Sequence, residues 1–151
     1  MLEICALTDQ GRVRQSNQDT FRIARELGLY MLADGMGGAR GGEQASRMAV
    51  EAIERSLSQS TYRDAAALLS AVEEANDQVL AAASRDPNLE GMGTTVVAVL
   101  ETRANDIAIA SVGDSRAYVL HDGELRAITK DQTWVQEVGV GLGLDEASLR
   151  I

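Results

Sequence analysis

The chain has 151 residues, and 45% of them are hydrophobic, which is enough to bury the core of one domain. Its net charge of −9 argues against a nucleic-acid partner, because binding a phosphate backbone requires a basic surface. The sequence contains a single cysteine. It has no run of 18 apolar residues and no signal-peptide pattern at its start. These features predict a cytoplasmic protein without disulfides or a membrane span.

Three short strands are predicted near the start of the chain, at residues 2–8, 20–24 and 29–33. The first contains Cys5, which we expect to be a buried, inert thiol. The second and third are separated by four residues, a length that suits a hairpin loop. This hairpin would bring Asp19 close to Asp34. Two carboxylates in one place raise each other's pKa, and a metal ion between them would remove that penalty.

Two helices are predicted after this hairpin. From Gly42 onward, apolar residues recur at three- and four-residue steps through Leu57. A second helix is expected to be capped by Ser60 or Thr61 and to run to about Ser84. Asn76 falls on its apolar face and is expected to be a buried amide bonded to nearby backbone.

The second half of the chain predicts four more strands, at residues 94–100, 106–112, 117–120 and 124–129. The sequence His121-Asp122-Gly123 separates the last two and is typical of a tight hairpin turn. His121 is therefore expected to be solvated. Residues 131–137 could begin a short helix, but several glycines interrupt the pattern that follows.

Three acids stand next to predicted strands: Asp19 precedes one, and Asp34 and Asp114 follow two others. Arg14 supplies a planar, bidentate donor that suits phosphate. Carboxylates, a backbone carbonyl and water are the ligands that Mg²⁺ and Mn²⁺ prefer. The sequence offers no His/Cys set for zinc and no Ser-His-Asp set for acyl transfer. The residues thus predict divalent metals that act on a phosphorylated substrate.

The glycines at 35–42 allow a second interpretation, a loop that binds nucleotide phosphates. Neither G-x-G-x-x-G nor a G-K-[ST] ending is present, so this interpretation is disfavoured. A run of motifs instead resembles the N-terminal part of a bacterial metal-dependent serine/threonine phosphatase of the PPM, or type 2C, class. Over roughly residues 4–137 the motifs occur in family order: R-x-x-N-Q-D from Arg14, A-D-G-M-G-G from Ala33, G-E-x-A-S from Gly42, G-M-G-T-T from Gly91 and V-G-D-S-R-A-Y from Val112.

The resemblance implies an α+β fold, a β-sandwich of two antiparallel sheets flanked by helices in four αββα layers. It implies that Asp34 bridges two Mn²⁺ or Mg²⁺ ions and that the Gly35 carbonyl completes one coordination sphere. Gln18 and Asp19 would orient metal-bound waters, Arg14 would clamp the substrate phosphate, and Asp114 would help to hold a third, weaker metal ion. A metal-bridging hydroxide would then attack phosphorus, and no phosphoenzyme would form.

Two positions depart from the family pattern. Gln18 stands where many relatives have Glu, and Met36 stands where eukaryotic relatives have His, so a histidine acid for the leaving group is absent there. Further metal aspartates of the family lie downstream of the residues matched here, and the sequence ends at Ile151 before they appear. Residues 1–151 are therefore expected to form one truncated phosphatase domain, incomplete at the C-terminus, with the start of a flap segment at about 130–151.

Two functions follow from the resemblance. The first is hydrolysis of phosphoserine and phosphothreonine in proteins that a Ser/Thr kinase has modified, by a monomer that binds neither nucleic acid nor membrane. The alternative is a catalytically inert, phosphatase-like binding module or fragment, because the downstream metal aspartates are absent. Hydrolysis of a phosphothreonine peptide in the presence of Mn²⁺ would separate the two.

Overall fold

The computed structural model describes residues 3–132. From position 133 onward, the chain lies outside these residues. This applies to most of the predicted flap segment at 130–151 and of the predicted helix at 131–137. The described elements, in chain order, are β1 (Asp19–Ala24), β2 (Leu29–Met36), α1 (Gly38–Gln59), α2 (Ala65–Arg85), a 3₁₀-helix (Pro87–Leu89), β3 (Gly93–Thr94), β4 (Val96–Glu101), β5 (Ile107–Val112), β6 (Tyr118–His121) and β7 (Glu124–Ala127).

The larger sheet is antiparallel, with the order β1-β2-β4-β5, and the short strand β3 pairs with the end of β2. The predicted β1-β2 hairpin is confirmed, and its register places Asp19 directly opposite Asp34. Strand β2 is longer than predicted, because it continues past Asp34 to Met36, where β3 supplies backbone partners. The carboxylate of Asp34 therefore projects from within the sheet and not from a loop.

A second, two-stranded antiparallel sheet is formed by β6 and β7. Its turn is made by Asp122 and Gly123, which both have positive φ angles, of 52° and 80°. Asp-Gly suits this geometry, because a two-residue hairpin turn of the I′ type requires left-handed backbone at both central positions. The predicted hairpin and the exposed position of His121 are confirmed. The α+β fold with two antiparallel sheets and helices is also confirmed.

The hydrophobic core lies between one face of the larger sheet and the two helices. Side chains alternate across a strand, so every second residue of β2 and β4 points to the helices, and Leu29 and Leu100 are completely buried. The facing residues of α1 and α2 follow the helical period, with Ile53, Leu57 and Leu68 at most 2% exposed. This core fixes the hairpin end that carries Asp19 and Asp34.

Both helices begin at residues other than those predicted. Helix α1 begins at Gly38, four residues before the predicted Gly42. Helix α2 is capped by Asp64, whose carboxylate accepts a hydrogen bond from Ala67 N at 2.8 Å, and not by Ser60 or Thr61. Asn76 is exposed, so the prediction of a buried amide is wrong. A 100° step per residue places it just beyond the edge of the buried stripe.

The N-terminal segment departs most from its prediction. Residues 3–8 are not in a strand, and Cys5 is exposed. They lie near the face of the larger sheet that points away from the helices, where Ile4 and Leu7 border a cavity with Phe21 and Val97. An alternating pattern forms a strand only where a neighbouring strand supplies hydrogen bonds, and no described strand pairs with this segment. The predicted strand and the predicted burial of Cys5 are therefore wrong.

Candidate metal and phosphate site

The backbone of Asp34 is held by Thr94 at the end of β3 and by Thr95, which lies between β3 and β4. Its N–H donates to Thr95 Oγ1 at 3.0 Å, and its carbonyl accepts from Thr95 N at 2.9 Å and from Thr94 Oγ1 at 3.0 Å. These bonds satisfy the backbone of Asp34 from one neighbouring segment. Its carboxylate is therefore presented to the cavity from a rigid position.

Asp19 is fixed by a separate set of polar contacts. Its carboxylate accepts a hydrogen bond from Thr8 Oγ1 at 3.1 Å, and its N–H donates to Asn17 Oδ1 at 3.0 Å. The amide of Asn17 in turn donates to Thr8 Oγ1 at 2.8 Å. The segment that failed to form a strand thus has a role at the site, because Thr8 orients the Asp19 side chain.

The glycines after Asp34 permit backbone segments to pack against one another. A Cβ at Gly35 would lie 1.9 Å from the carbonyl oxygen of Gly42, and a Cβ at Gly42 would lie 2.5 Å from Gln18 Oε1. The Gly35 N–H also donates to the Gln18 carbonyl at 3.1 Å. The space around Gly35 and Gly42 is occupied by protein atoms, which is unlike an open loop that cradles a nucleotide phosphate.

The completely buried side chain of Ser46, on α1, connects that helix to the strand that carries Asp19. Its Oγ donates to the Gln18 carbonyl at 2.7 Å and lies 2.9 Å from Thr20 Oγ1. Sequence reasoning quoted Ser46 and Thr95 only as parts of motifs and gave them no role. The signal available was a hydroxyl residue a few positions after a glycine of the same motif, Gly42 for Ser46 and Gly93 for Thr95.

A cavity of about 560 Å³ opens at the end of the β1-β2 hairpin. Among its lining residues are four of the predicted site residues, Arg14, Asp34, Gly35 and Asp114. Asp19 does not line the cavity but lies opposite Asp34 on β1 and interacts with it. A larger cavity of about 700 Å³ lies between α2 and β5, away from these acids. Four of the five predicted site residues therefore lie at one cavity, and it is the smaller of these two.

Asp34 sits at the cavity surface, partly shielded from water. Partial burial is the main cause that raises its pKa above the usual value, followed by the negative charge of Asp19 and a hydrogen bond with it. The charge of Asp114 acts in the same direction, whereas Arg14 opposes them. All three side chains are thus within electrostatic reach of Asp34. Because a carboxylate in such a position is costly, a bound cation would stabilise its ionised form.

The donor atoms at this cavity are oxygens, which suits Mg²⁺ or Mn²⁺. Among residues 3–132, however, no three Asp, Glu, His or Cys side chains approach closely enough to hold a metal ion by themselves. The acid pair Asp19–Asp34 and the carbonyl of Gly35 fit a metal that takes its remaining ligands from water or from other groups. These oxygen donors suit Mg²⁺ or Mn²⁺, and the described residues supply only part of the ligand set.

The loop after β5, which carries Asp114, is held by residues near the end of the described chain. Gln132 N donates to the Gly113 carbonyl at 2.8 Å. Arg116 forms a two-point ion pair with Asp131, at 2.7 and 2.5 Å, and this hydrogen bonding lowers the pKa of Asp131. Thr95 Oγ1 also lies 2.7 Å from Ser115 Oγ, so the residue that bonds to the Asp34 backbone is directly connected to the loop of Asp114.

Comparison with known proteins identifies relatives along most of the chain. A family model described as protein phosphatase 2C matches residues 9–137. The serine/threonine protein phosphatase PstP of Mycobacterium tuberculosis is 41% identical over 137 residues, which cover 90% of this chain and 26% of PstP. The serine/threonine phosphatase stp of Listeria welshimeri is 37% identical over 144 residues, which cover 87% of this chain and 55% of that protein.

A solved structure has the same fold. The catalytic domain of PstP in complex with two manganese ions matches with a TM-score of 0.75 and 40% identity, covering 91% of this chain and 59% of that one. The chain spans about a quarter of the length of PstP and about half that of the Listeria relative. Because the family model matches most of the sequence and the fold agrees, this chain belongs to the protein phosphatase 2C family of serine/threonine phosphatases.

Proposed function

We propose that this chain acts in the metal-dependent hydrolysis of phosphoserine and phosphothreonine in proteins. The observation that carries the proposal is the position of Asp34, which lines a cavity together with Arg14 and Asp114 and is paired with Asp19. Relatives named serine/threonine phosphatases, one solved with two manganese ions, support it. Residues 1–151 would form one part of a phosphatase domain, as the sequence predicts.

Each site residue has a proposed role. Asp34 and the Gly35 carbonyl would hold Mn²⁺ or Mg²⁺, Asp19 opposite Asp34 would orient metal-bound water, and Asp114 would help to hold a third, weaker ion. The bound metals would activate water and neutralise charge on the phosphoryl group. Arg14 would orient the phosphate through its bidentate guanidinium, which is the geometry that phosphate oxygens accept. The rigid backbone around Asp34 would keep these groups in place during the reaction.

The partners follow from this chemistry. The substrates would be phosphorylated proteins, and the enzymes that supply them would be Ser/Thr kinases. Among residues 3–132, neither helix combines the length and apolar character that crossing a bilayer requires. We propose that the protein acts in the cytoplasm as a monomer.

The decisive experiment measures phosphate release from a phosphothreonine peptide, with Mn²⁺ and with EDTA. We expect Mn²⁺-dependent turnover that falls at least a hundredfold in Asp34→Ala, since the substitution removes the proposed metal bridge. Asp77→Ala, an exposed acid on α2, serves as the matched control and should retain full activity. Turnover that survives Asp34→Ala would contradict the proposed site. A wild-type chain that binds the peptide with Mn²⁺ but releases no phosphate would support the inert-module alternative.

The role of Arg14 is tested by comparing it with Arg12, an exposed arginine two residues earlier that does not line the cavity. Arg14→Ala should raise KM for the peptide about tenfold or more, because one charge-assisted bidentate contact to phosphate is lost. Arg12→Ala should leave KM within twofold of wild type. Equal effects of the two substitutions would show that Arg14 contributes only general positive charge.

A further inference from the structure

Two large apolar side chains stand exposed at the edge of the acidic cavity. Met36 is 64% exposed and Val13 is 93% exposed, and both line the cavity that contains Asp34, Arg14 and Asp114. Single exposed apolar residues are common on protein surfaces. A pair that borders a pocket of charged groups is different, because binding sites combine apolar lining with a few placed polar groups.

The direction of Met36 is set by the sheet. Residues two apart on a strand point to the same face, so Met36 projects on the same side as Asp34. Strand β3 fixes its backbone, since Met36 is paired with Gly93. A Cβ at Gly93 would lie 2.9 Å from Met36 Cε, which shows that the methionine extends over the space this glycine leaves open.

The side chain itself suits contact with varied partners. Methionine has three rotatable bonds and a polarizable sulfur, so it adapts its shape to different apolar surfaces. Val13 neighbours Arg14 in the chain, which places an apolar side chain beside the proposed phosphate clamp. A phosphorylated residue held by Arg14 would thus bring its neighbours in the peptide to Met36 and Val13.

We propose that Met36 and Val13 form a subsite for the residues that flank the phosphorylated residue, and that it selects phosphopeptides with large apolar residues at those positions. This inference rests on the proposed phosphatase function. An apolar occupant is favoured because burying it against two exposed apolar side chains removes apolar surface from water on both sides.

The test compares two phosphothreonine peptides that differ only in having leucine or glycine on both sides of the phosphorylated residue. Fluorescence anisotropy with Mn²⁺ gives the two dissociation constants, and phosphate release gives kcat/KM where turnover occurs. We expect wild type to favour the leucine peptide about fivefold, the order for burying part of one apolar side chain. Met36→Ala should bring the ratio close to one, Val13→Ser should lower it, and Met36→Leu should preserve it.

Leu120→Ala removes an apolar side chain that is 69% exposed on β6, outside the cavity, and should keep the wild-type ratio. A wild-type ratio near one, with p-nitrophenyl phosphate still hydrolysed, would overturn the subsite and leave the phosphatase function standing. Absence of turnover on every substrate would count against the function. In that case the two dissociation constants still decide the subsite, because a leucine preference lost in Met36→Ala supports it and an equal affinity for both peptides overturns it.

Discussion

Asp19 and Asp34 are direct cross-strand partners at the open end of the β1-β2 hairpin. Like charges opposite each other in an antiparallel pair are destabilising, and the pKa of Asp34 is raised by partial burial and then by Asp19. The fold keeps this unfavourable pair in place with hydrogen bonds between the Asp34 backbone and Thr95 and from Thr8 to the Asp19 carboxylate. The hairpin end therefore favours occupation by a cation.

The first prediction concerns the pH dependence of stability without metal. Because the folded pKa of Asp34 lies above its usual 3.8, the native state holds an extra proton between the two values, and its stability falls as pH rises through that window. Asp34→Asn removes this penalty. In EDTA at pH 7 we expect the variant to be more stable than wild type by roughly 0.2–1 kcal/mol, the range for cross-strand pairs.

Urea denaturation at pH 3 and pH 7 checks this prediction. At pH 3, which lies below the usual pKa, the stability difference between wild type and Asp34→Asn should disappear. Asp34 is then protonated and neutral, as asparagine is. Mn²⁺ at saturating concentration should reverse the order at pH 7, since a ligand that binds only the native state stabilises it. Asp77→Asn is the control and should stay within about 0.5 kcal/mol of wild type under both conditions. A difference of the same size at both pH values would contradict the explanation.

The second prediction concerns Gly35. In Gly35→Ala the new Cβ would lie 1.9 Å from the Gly42 carbonyl oxygen. The Cβ is fixed to the backbone of β2 and the oxygen belongs to the backbone of α1, so neither can move aside cheaply. We expect a loss of about 3 kcal/mol or more, at or above the upper end for overpacking. Gly11→Ala is the matched control, since its φ of 74° is strained for alanine but nothing lies within 4 Å. That variant should lose only about 1–2 kcal/mol.

Thermal or urea unfolding of the two glycine variants, followed by circular dichroism, measures this difference. If Gly35→Ala loses no more free energy than Gly11→Ala, the contact with the Gly42 carbonyl does not control the cost at Gly35.

The sequence was sufficient for features that depend on local pattern. The hairpin that joins Asp19 to Asp34 follows from two strand patterns and a short loop, and the turn at Asp122-Gly123 follows from residues that accept left-handed backbone. The sequence placed the acids next to predicted strands, and the family resemblance assigned Arg14, Asp34 and Asp114 to one site. The structure brings these three residues to one cavity.

Features that depend on competition between neighbouring residues could not be predicted from the local sequence pattern. Ser60, Thr61 and Asp64 are all good helix caps, and the choice among them was decided by local bonds. The hydroxyl of Ser60 interacts with the backbone of Tyr62, donating to its carbonyl at 2.9 Å and accepting from its N–H at 3.1 Å. It is therefore used in a turn, and Asp64 caps the helix.

The roles of the small residues at the site required the tertiary structure. The glycines at 35–42 allowed the interpretation of a phosphate-binding loop, whereas in the structure Gly35 and Gly42 bring β2, α1 and the Gln18 segment into contact. The alternating pattern of residues 2–8 predicted a strand, but a pattern cannot show whether a partner strand is available. Its actual contribution is Thr8, which bonds to Asp19 across eleven positions of sequence.

The last prediction concerns Ser46. Its side chain is completely buried and bonds to the Gln18 carbonyl and to Thr20 Oγ1, so Ser46→Ala leaves two polar groups without this partner. We expect a loss of about 1–3 kcal/mol in the free energy of unfolding. Ser58→Ala on the same helix is the control: its hydroxyl bonds to the Arg55 carbonyl at an exposed position, and its loss should stay within about 0.5 kcal/mol. Because Ser46 also positions the strand that carries Asp19, Mn²⁺ affinity measured by calorimetry should fall in Ser46→Ala and not in Ser58→Ala. The affinity is measured well below the unfolding temperature of the variant. If Ser46→Ala is destabilised but keeps full Mn²⁺ affinity, the role of Ser46 is limited to stability.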